Sequence, residues 1–244
     1  MKNKIILRDC PKEKVQIDLW PFEISGGFRG FQNVAEGIHY IAVLFEDKYH
    51  GQWVFVEEKT IVKAFDRDTL SFVDVEETTE ITLQDMADKG VMNEKLIFYP
   101  DVAAEQWREL SGHVTIQHFQ DNLFSPTVLE DDKDIPQFLG GFQLAFLKVI
   151  VQGSDDVSLK DLEIWKQWVK IIYDADLSII KNNVNLFTEL TDLLILQLEL
   201  FPDAYKEELL ASVYSDANNF LKKLEQADNS ILALRVMEFR LLFN

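Results

Sequence analysis

Hydrophobic positions follow two rhythms along this chain. Up to about residue 75 they come as short β-branched and aromatic runs between turn formers, at Lys4 to Arg8, Lys14 to Leu19, Phe22 to Ser25, Ile38 to Phe45, Gln52 to Glu57, Thr60 to Phe65 and Leu70 to Val75. Such runs predict strands, and their close spacing predicts a small sandwich or barrel. The run from Ile38 to Phe45 is apolar at almost every position, as in a strand covered on both faces. Gly30 and Gly37 punctuate the approach to it, where glycine supplies positive φ or close backbone approach. Asp47 to Gly51 predicts a hairpin loop, and Pro11 and Pro21 predict breaks in the early strands.

After Thr82 the rhythm becomes helical. Thr82-Leu83-Gln84-Asp85 resembles a capping box, and Asp101 to Phe119 carries Trp107, Leu110, Val114 and Phe119 at mostly helical spacing. Beyond Pro136 five apolar stripes follow: Phe138, Phe142, Ala145, Phe146, Val149 and Ile150; Leu162, Trp165, Val169 and Ile172; Leu186, Leu190, Leu193 or Leu194 and Gln197 or Leu198; Leu209, Val213, Phe220 and Leu224; Ile231, Leu234, Met237 and Leu241. Gly153-Ser154 and Phe201-Pro202-Asp203 separate helices, with Ser158 and Asp203 as N-caps. The breakers Ser125-Pro126 and Pro136 flank an acidic stretch, Glu130 to Asp134, the best boundary in the chain. The expected organisation is α+β in two domains. A β-rich sandwich or barrel with a packed helix occupies 1–124, a short acidic linker 125–137, and a helical bundle or short solenoid 138–244. No fixed-period repeat is present.

With 47% hydrophobic and 12% aromatic residues in 244, the chain has ample material for real cores. A formal charge of -18 weighs against nucleic acid as the main ligand, because that affinity comes mostly from Lys and Arg displacing counterions. Gly27-Phe28-Arg29-Gly30 has the GxxG form of a KH loop but lacks a basic surround. The acidity disfavours anionic lipid surfaces too, and no segment reaches the roughly 18 apolar residues that span a bilayer. Cys10 is the lone cysteine, which excludes an intrachain disulfide and points to a reducing compartment.

Catalytic signatures are absent: no G-x-x-x-x-G-K-[ST], G-x-G-x-x-G, G-x-S-x-G, H-E-x-x-H or C-x-x-C. His39 reads as a satisfied core histidine. His113 and His118, five apart on the expected helix, are rotated off a common face and make no metal pair. Neither a cofactor nor a metal is expected. Trp165 falls in a core stripe, whereas Trp168 lies toward its edge; Trp168 and Trp107 are the candidate protein-docking aromatics.

Phe28-x-Gly30 followed by Gly37-Ile38-His39-Tyr40-Ile41 resembles the F-x-G-[IV]-K-x-I-P-x-G-[IL]-H-F-[IV] signature of the Aar-two family of splicing factors. Further segments agree in order: Ile5-Ile6-Leu7 with Pro11-Lys12 and Ile17-Asp18; Tyr99-Pro100, Trp107 and Leu110-Ser111 with Y-P-x6-W-x-x-L-[TS]; Gly140-x-x-Gln143-x-Ala145-Phe146 with G-E-L-Q-x-A-F; Trp165-Lys166; and Leu193 to Leu198 with Phe201-Pro202. Gln32 and Ala35 depart from the signature, where lysine and proline are usual. The resemblance implies a β-rich N-terminal domain and a VHS-like helical C-terminal domain. It also implies an assembly factor for the U-five small nuclear ribonucleoprotein, cytoplasmic and nuclear. Its partner would be the large spliceosomal scaffold protein, at its RNase H-like and Jab/MPN-like domains. Family members carry a long interdomain segment and a C-terminal tail that bridges those domains. Here the linker is short and the chain stops at Phe243-Asn244, so a phosphorylation switch is not carried over and tail bridging stays open.

The leading expectation is therefore a non-enzymatic splicing assembly factor that covers a protein surface and binds neither nucleic acid directly nor membrane. Two other readings stand beside it. One is a shortened relative acting as a general protein-binding adaptor; the other is an enzyme with a site assembled from His39, His113 or His118 and scattered carboxylates. Oligomeric state is not legible.

Overall fold

The computed structural model describes residues 3–12, 14–120, 135–151, 158–201 and 217–242. The chain divides into two compact units, Met1–Gly112 and His113–Asn244.

The first unit is built on two sheets. β1 (Asn3–Arg8), β4 (Gly30–Val34), β7 (Ile61–Asp66), β8 (Ser71–Asp74) and β9 (Leu96–Phe98) form one, in the order β8-β7-β1-β4-β9. β2 (Lys14–Ile17), β3 (Trp20–Glu23), β5 (Gly37–Phe45) and β6 (Lys48–Val56) form the other, in the order β3-β2-β5-β6. The four-stranded sheet is antiparallel throughout, whereas β1 runs parallel to β7 and β4 parallel to β9. Ile5, Leu7, Phe31 and Phe65 of the first sheet share one core with Val15, Ile17, Ile41, Val43, Val54 and Val56 of the second. On the back of the first sheet, Ile6 and Val62 meet Ala87 of helix α1 (Glu77–Asp88) and Met92. Ile5, Ile6 and Leu7 are consequently all buried, as β1 has cover on both faces. β5 is likewise buried at every position from Ile38 to Val43, as its unbroken apolar run foretold.

Several boundaries differ from expectation, each for a local reason. The β5–β6 turn is only Glu46-Asp47, both at positive φ (52° and 62°), with Phe45 opposite Lys48; Lys48 to Gly51, expected as loop, already belong to β6. Pro21 lies inside β3 instead of breaking it, because β3 is an edge strand that can spare a donor. Thr82 is no cap: α1 starts at Glu77, and the Thr82 hydroxyl donates back to the Thr78 carbonyl at 2.7 Å. Gly30 to Val34 is itself a strand, β4, and the three-residue β9 escaped the pattern altogether. The helix expected over Asp101 to Phe119 ends at Ser111 as α2 (Asp101–Ser111). It restarts as α3 (Ile116–Gln120) in the second unit, with Gly112 at the break.

The second unit is helical. α4 (Ile135–Ile150), α5 (Leu159–Asp174), α6 (Leu177–Asn182), α7 (Val184–Leu200), a helical stretch at 217–225 that we call α8, and α9 (Ser230–Leu241) make it up together with α3. Pro136 sits in the first turn of α4, where its missing N–H has no intrahelical acceptor to lose; it opens this helix where a linker was expected. Ser158 caps α5 by accepting from the Asp161 amide at 3.3 Å. The α5 C-terminus is closed from α8, whose Lys223 ammonium donates to the carbonyls of Tyr173 and Ala175 at 3.1 and 2.8 Å. The first three stripes are buried almost as expected, as are Phe220 and Leu224. Leu209, Val213, Asp203, Gly153-Ser154 and Glu130 to Asp134 lie outside the described residues. The fifth stripe is reversed: α9 buries Leu232, Val236 and Phe239, while Ile231, Leu234, Met237 and Leu241 are exposed. This helix is apolar on both sides, so periodicity alone allowed either facing. Among the described residues no helix is long and apolar enough to cross a membrane.

Gly30 and Gly37 make a test of the strand β4 and its surroundings. Both have positive φ (133° and 121°), but a Cβ at Gly30 would also drive into the Ile5 backbone, whereas at Gly37 it meets open space. Gly30→Ala is expected to cost about 2–5 kcal/mol and Gly37→Ala about 1–2 kcal/mol, read from denaturant unfolding followed by tryptophan fluorescence.

Candidate functional site

The chemistry-bearing residues of the first unit converge on one buried carboxylate. β2 ends at Ile17, and Asp18 follows at φ 56°, turning its side chain inward at 0% exposure. Asp18 Oδ2 accepts from the Tyr99 hydroxyl at 2.6 Å and from His39 Nδ1 at 2.8 Å, and Oδ1 accepts from the Tyr40 amide at 3.0 Å. His39 Nε2 donates to the Ala35 carbonyl at 3.1 Å, so both ring nitrogens are engaged in a side chain only 1% exposed. The imidazole stacks on Trp107 (6.2 Å, 23°) and meets Tyr99 edge-on. The Trp107 indole N–H donates to the Ile38 carbonyl at 2.6 Å, and its ring stacks on Trp53. Asn33, at φ 70°, donates to both the Tyr99 carbonyl and the Asp101 carboxylate.

Burial and the Asp18 charge together push the Tyr99 phenol well above its ordinary range, and burial pushes Tyr40 up to about 12. Cys10 is raised to about 12, mainly by burial and then by Asp9, which makes it a poor nucleophile. His39 is thus the satisfied core histidine that was expected, with an aspartate partner that the expectation lacked. An Asp–His pair can orient a nucleophile's base, but here both partners are sealed from any substrate.

The other family-type positions hold structure within each unit. Phe28 packs edge-on against Phe31 at 5.6 Å; Gly30 admits the β1 backbone; Gly37 opens β5; Pro100 stands at the N-cap of α2 in extended conformation. In the second unit the Gln143 carboxamide accepts from the His113 amide at 2.8 Å, and a Cβ at Gly140 would meet the His113 carbonyl and the His118 ring. Ala145 and Phe146 are buried; Phe146 packs on Trp165 and Phe201, and the Trp165 indole donates to Gln197 Oε1 at 2.8 Å. His113 pairs with Glu189 at 2.5 Å, while His118 bonds Thr115 and the Gln137 carbonyl, so the two histidines serve separate contacts. No group of three or more potential metal ligands occurs among the described residues.

Trp107 and Trp168 correct the docking expectation. They are 2% and 1% exposed, and Trp168 packs edge-on against Phe138 at 5.0 Å and beside Phe142. The i, i+3 offset from Trp165 put Trp168 at the stripe's margin, but α4 covers that margin with two phenylalanines. Asp18, quoted from the sequence only as part of an opening strand, is the centre of the cluster, a role that sequence reasoning missed. Its strand, Lys-Val-Gln-Ile, alternates polar and apolar positions, and nothing local named the partners of the charge that follows it.

Asp18→Ala is expected to destabilise by about 3–5 kcal/mol, since it strands the groups gathered on the carboxylate, and Tyr99→Phe by about 1–3 kcal/mol. Because the folded-state phenol of Tyr99 is raised, its contribution is fully present below the unfolded value of 10.0 and is lost as pH rises beyond it. Urea midpoints between pH 8 and pH 11 should fall for the wild type and fall less steeply for Tyr99→Phe.

No curated protein matches the chain. Family models do: residues 1–125 match the AAR2 N-terminal domain and residues 102–239 the AAR2 C-terminal repeat region. Two matches that together run almost from end to end, over units whose cores are built from the family-type residues, show that the chain belongs to the AAR2 family of splicing factors and has a splicing-related role.

Proposed function

We propose that the chain is a non-enzymatic assembly factor that binds the large spliceosomal scaffold protein, at its RNase H-like and Jab/MPN-like domains, during biogenesis of the U-five small nuclear ribonucleoprotein. The observation that carries the reading is the pair of family matches covering both units. The buried chemistry supports it: Asp18, His39, Tyr99, Trp107, Gln143 and Trp165 hold cores together, which leaves the outer surface as the working part. A formal charge of -18 supports it as well, since a negative surface is steered toward basic, nucleic-acid-binding domains and competes with their ligands without binding nucleic acid itself. The protein would act in the cytoplasm and nucleus, where the partner is made and used.

The purified chain, mixed with the RNase H-like and Jab/MPN-like domains of the scaffold from the same organism, should co-elute in size-exclusion chromatography at low salt. Affinity should weaken several-fold as ionic strength rises from about 50 to 300 mM, because screening shortens the reach of exposed charges. Absence of a complex at low salt would overturn the scaffold reading and leave the general adaptor in its place.

A further inference from the structure

Thirteen large apolar side chains stand exposed among the described residues, and four of them, Ile231, Leu234, Met237 and Leu241, lie on α9, between 51% and 71% exposed. No other described helix or strand exposes more than one. Single apolar residues are ordinary on a protein surface, whereas a run of them on one element marks a contact. At about 100° per residue the four fall within an arc of roughly 120°, opposite the buried Leu232, Val236 and Phe239. The stripe is about 15 Å long, close to three turns of helix. A helix that is apolar all round belongs in a protein interior, yet neighbours within the chain cover only the side of Leu232, Val236 and Phe239.

The two edges of the stripe differ in charge. Toward α7, Arg235 donates to Glu238 Oε2 at 2.7 Å and to Asp192 Oδ2 at 3.4 Å, and Glu189, three residues before Asp192, pairs with His113 at 2.5 Å. Three carboxylates thus meet one guanidinium and one imidazole, so this edge keeps net negative charge whether or not the imidazole is protonated. Burial raises the Asp192 carboxyl above its ordinary range against the pull of Arg235, and Glu238 and Glu189 add to the rise. On the other edge Arg240 pairs with Glu225 of α8 at 2.9 Å, and that pair is neutral. Every one of these residues belongs to the second unit.

We propose that the outer face of α9 receives an amphipathic helix of a partner protein, apolar on the side it lays down and carrying lysine or arginine along the edge that meets Glu189, Asp192 and Glu238. The inference rests on the reading of the chain as a protein-binding factor and names a surface and the chemistry of one segment it takes. Apolar burial supplies the affinity, and the acidic edge sets the sign and orientation of what fits. Two copies packed through antiparallel α9 helices would bring both acidic edges to the same side, in molecules already at -18 each, which disfavours a second copy as occupant. The same charge repels an anionic lipid surface.

The test uses the full chain with ¹³C-labelled Ile, Leu and Met methyl groups and the end-blocked peptide Lys-Leu-Ala-Lys-Leu-Leu-Gln-Lys-Leu-Ala-Lys-Leu-Leu-Gln-Lys-Leu, which as a helix carries a leucine face with lysines along one edge. Fluorescence anisotropy of the labelled peptide reads affinity, and methyl shifts read the place. On saturation the methyls of Ile231, Leu234, Met237 and Leu241 should shift, while those of Ile5, Ile6 and Leu7 in the first unit stay in place. Affinity should fall roughly five-fold or more for Leu234→Gln/Met237→Gln, with the fold checked by circular dichroism, and roughly three-fold for Asp192→Asn/Glu238→Gln. A peptide with glutamate in place of every lysine should bind roughly ten-fold more weakly or worse. Equal binding of the glutamate peptide, unshifted α9 methyls at saturation, dimerisation of the free chain that Leu234→Gln/Met237→Gln abolishes, or α9 methyl shifts on adding phosphatidylcholine vesicles would each overturn the proposal. The peptide contains no spliceosomal sequence. Peptide binding without scaffold co-elution would count against the scaffold alone, and scaffold co-elution without peptide binding against the α9 face alone.

Discussion

A carboxylate taken out of water must be met by donors on every side, and the first unit is organised around meeting that demand at Asp18. Its partners come from both sheets: His39 and Tyr40 lie on β5 of one, while Tyr99 follows β9 at the rim of the other. The carboxylate therefore acts as a cross-link between sheets whose apolar faces alone would tolerate sliding. Tyr99 extends the link, because its carbonyl accepts from Asn33 at the end of β4. Trp107 completes it by holding the Ile38 carbonyl and stacking on the His39 ring. Hydrophobic burial contributes most of the driving force, but the polar cluster selects one relative placement, since each alternative leaves a buried charge or donor unmet.

The second unit meets the same kind of constraint with neutral amides. Gln143 on α4 accepts the His113 backbone amide where the chain enters the unit, and Gln197 on α7 accepts the Trp165 indole. Each is buried at a position where an apolar residue would also fill the space. An amide adds direction: the Gln197–Trp165 bond fixes the rotation of α7 against α5, and the glycine at 140 lets the His113–His118 turn lie close on α4. Lys223 serves the same end on a different element by closing the α5 terminus.

The polar groups of the Asp18 cluster are committed inside, so exposed apolar positions and charge are what the described surface offers for recognition. On α9, exposed Ile231, Leu234, Met237 and Leu241 offer apolar area without direction. Strong net negative charge acts over longer distances and biases which partners arrive at all.

The residues alone determined the change from strands to helices, the doubly covered β5, the Ser158 cap and the first three helical stripes, because each depends on neighbours within a few positions. Tertiary structure decided the rest. β4 is held between antiparallel β1 and parallel β9, and β9 pairs only with β4, partners far away in the chain that no short pattern encodes. Asp18, His39 and Tyr99 become one site through a meeting of segments separated by 21 and 81 positions from Asp18. The facing of α9 and the burial of Trp107 and Trp168 were settled by what packs beside them. A side chain's periodicity says which neighbours share its face, while exposure depends on which other element covers that face.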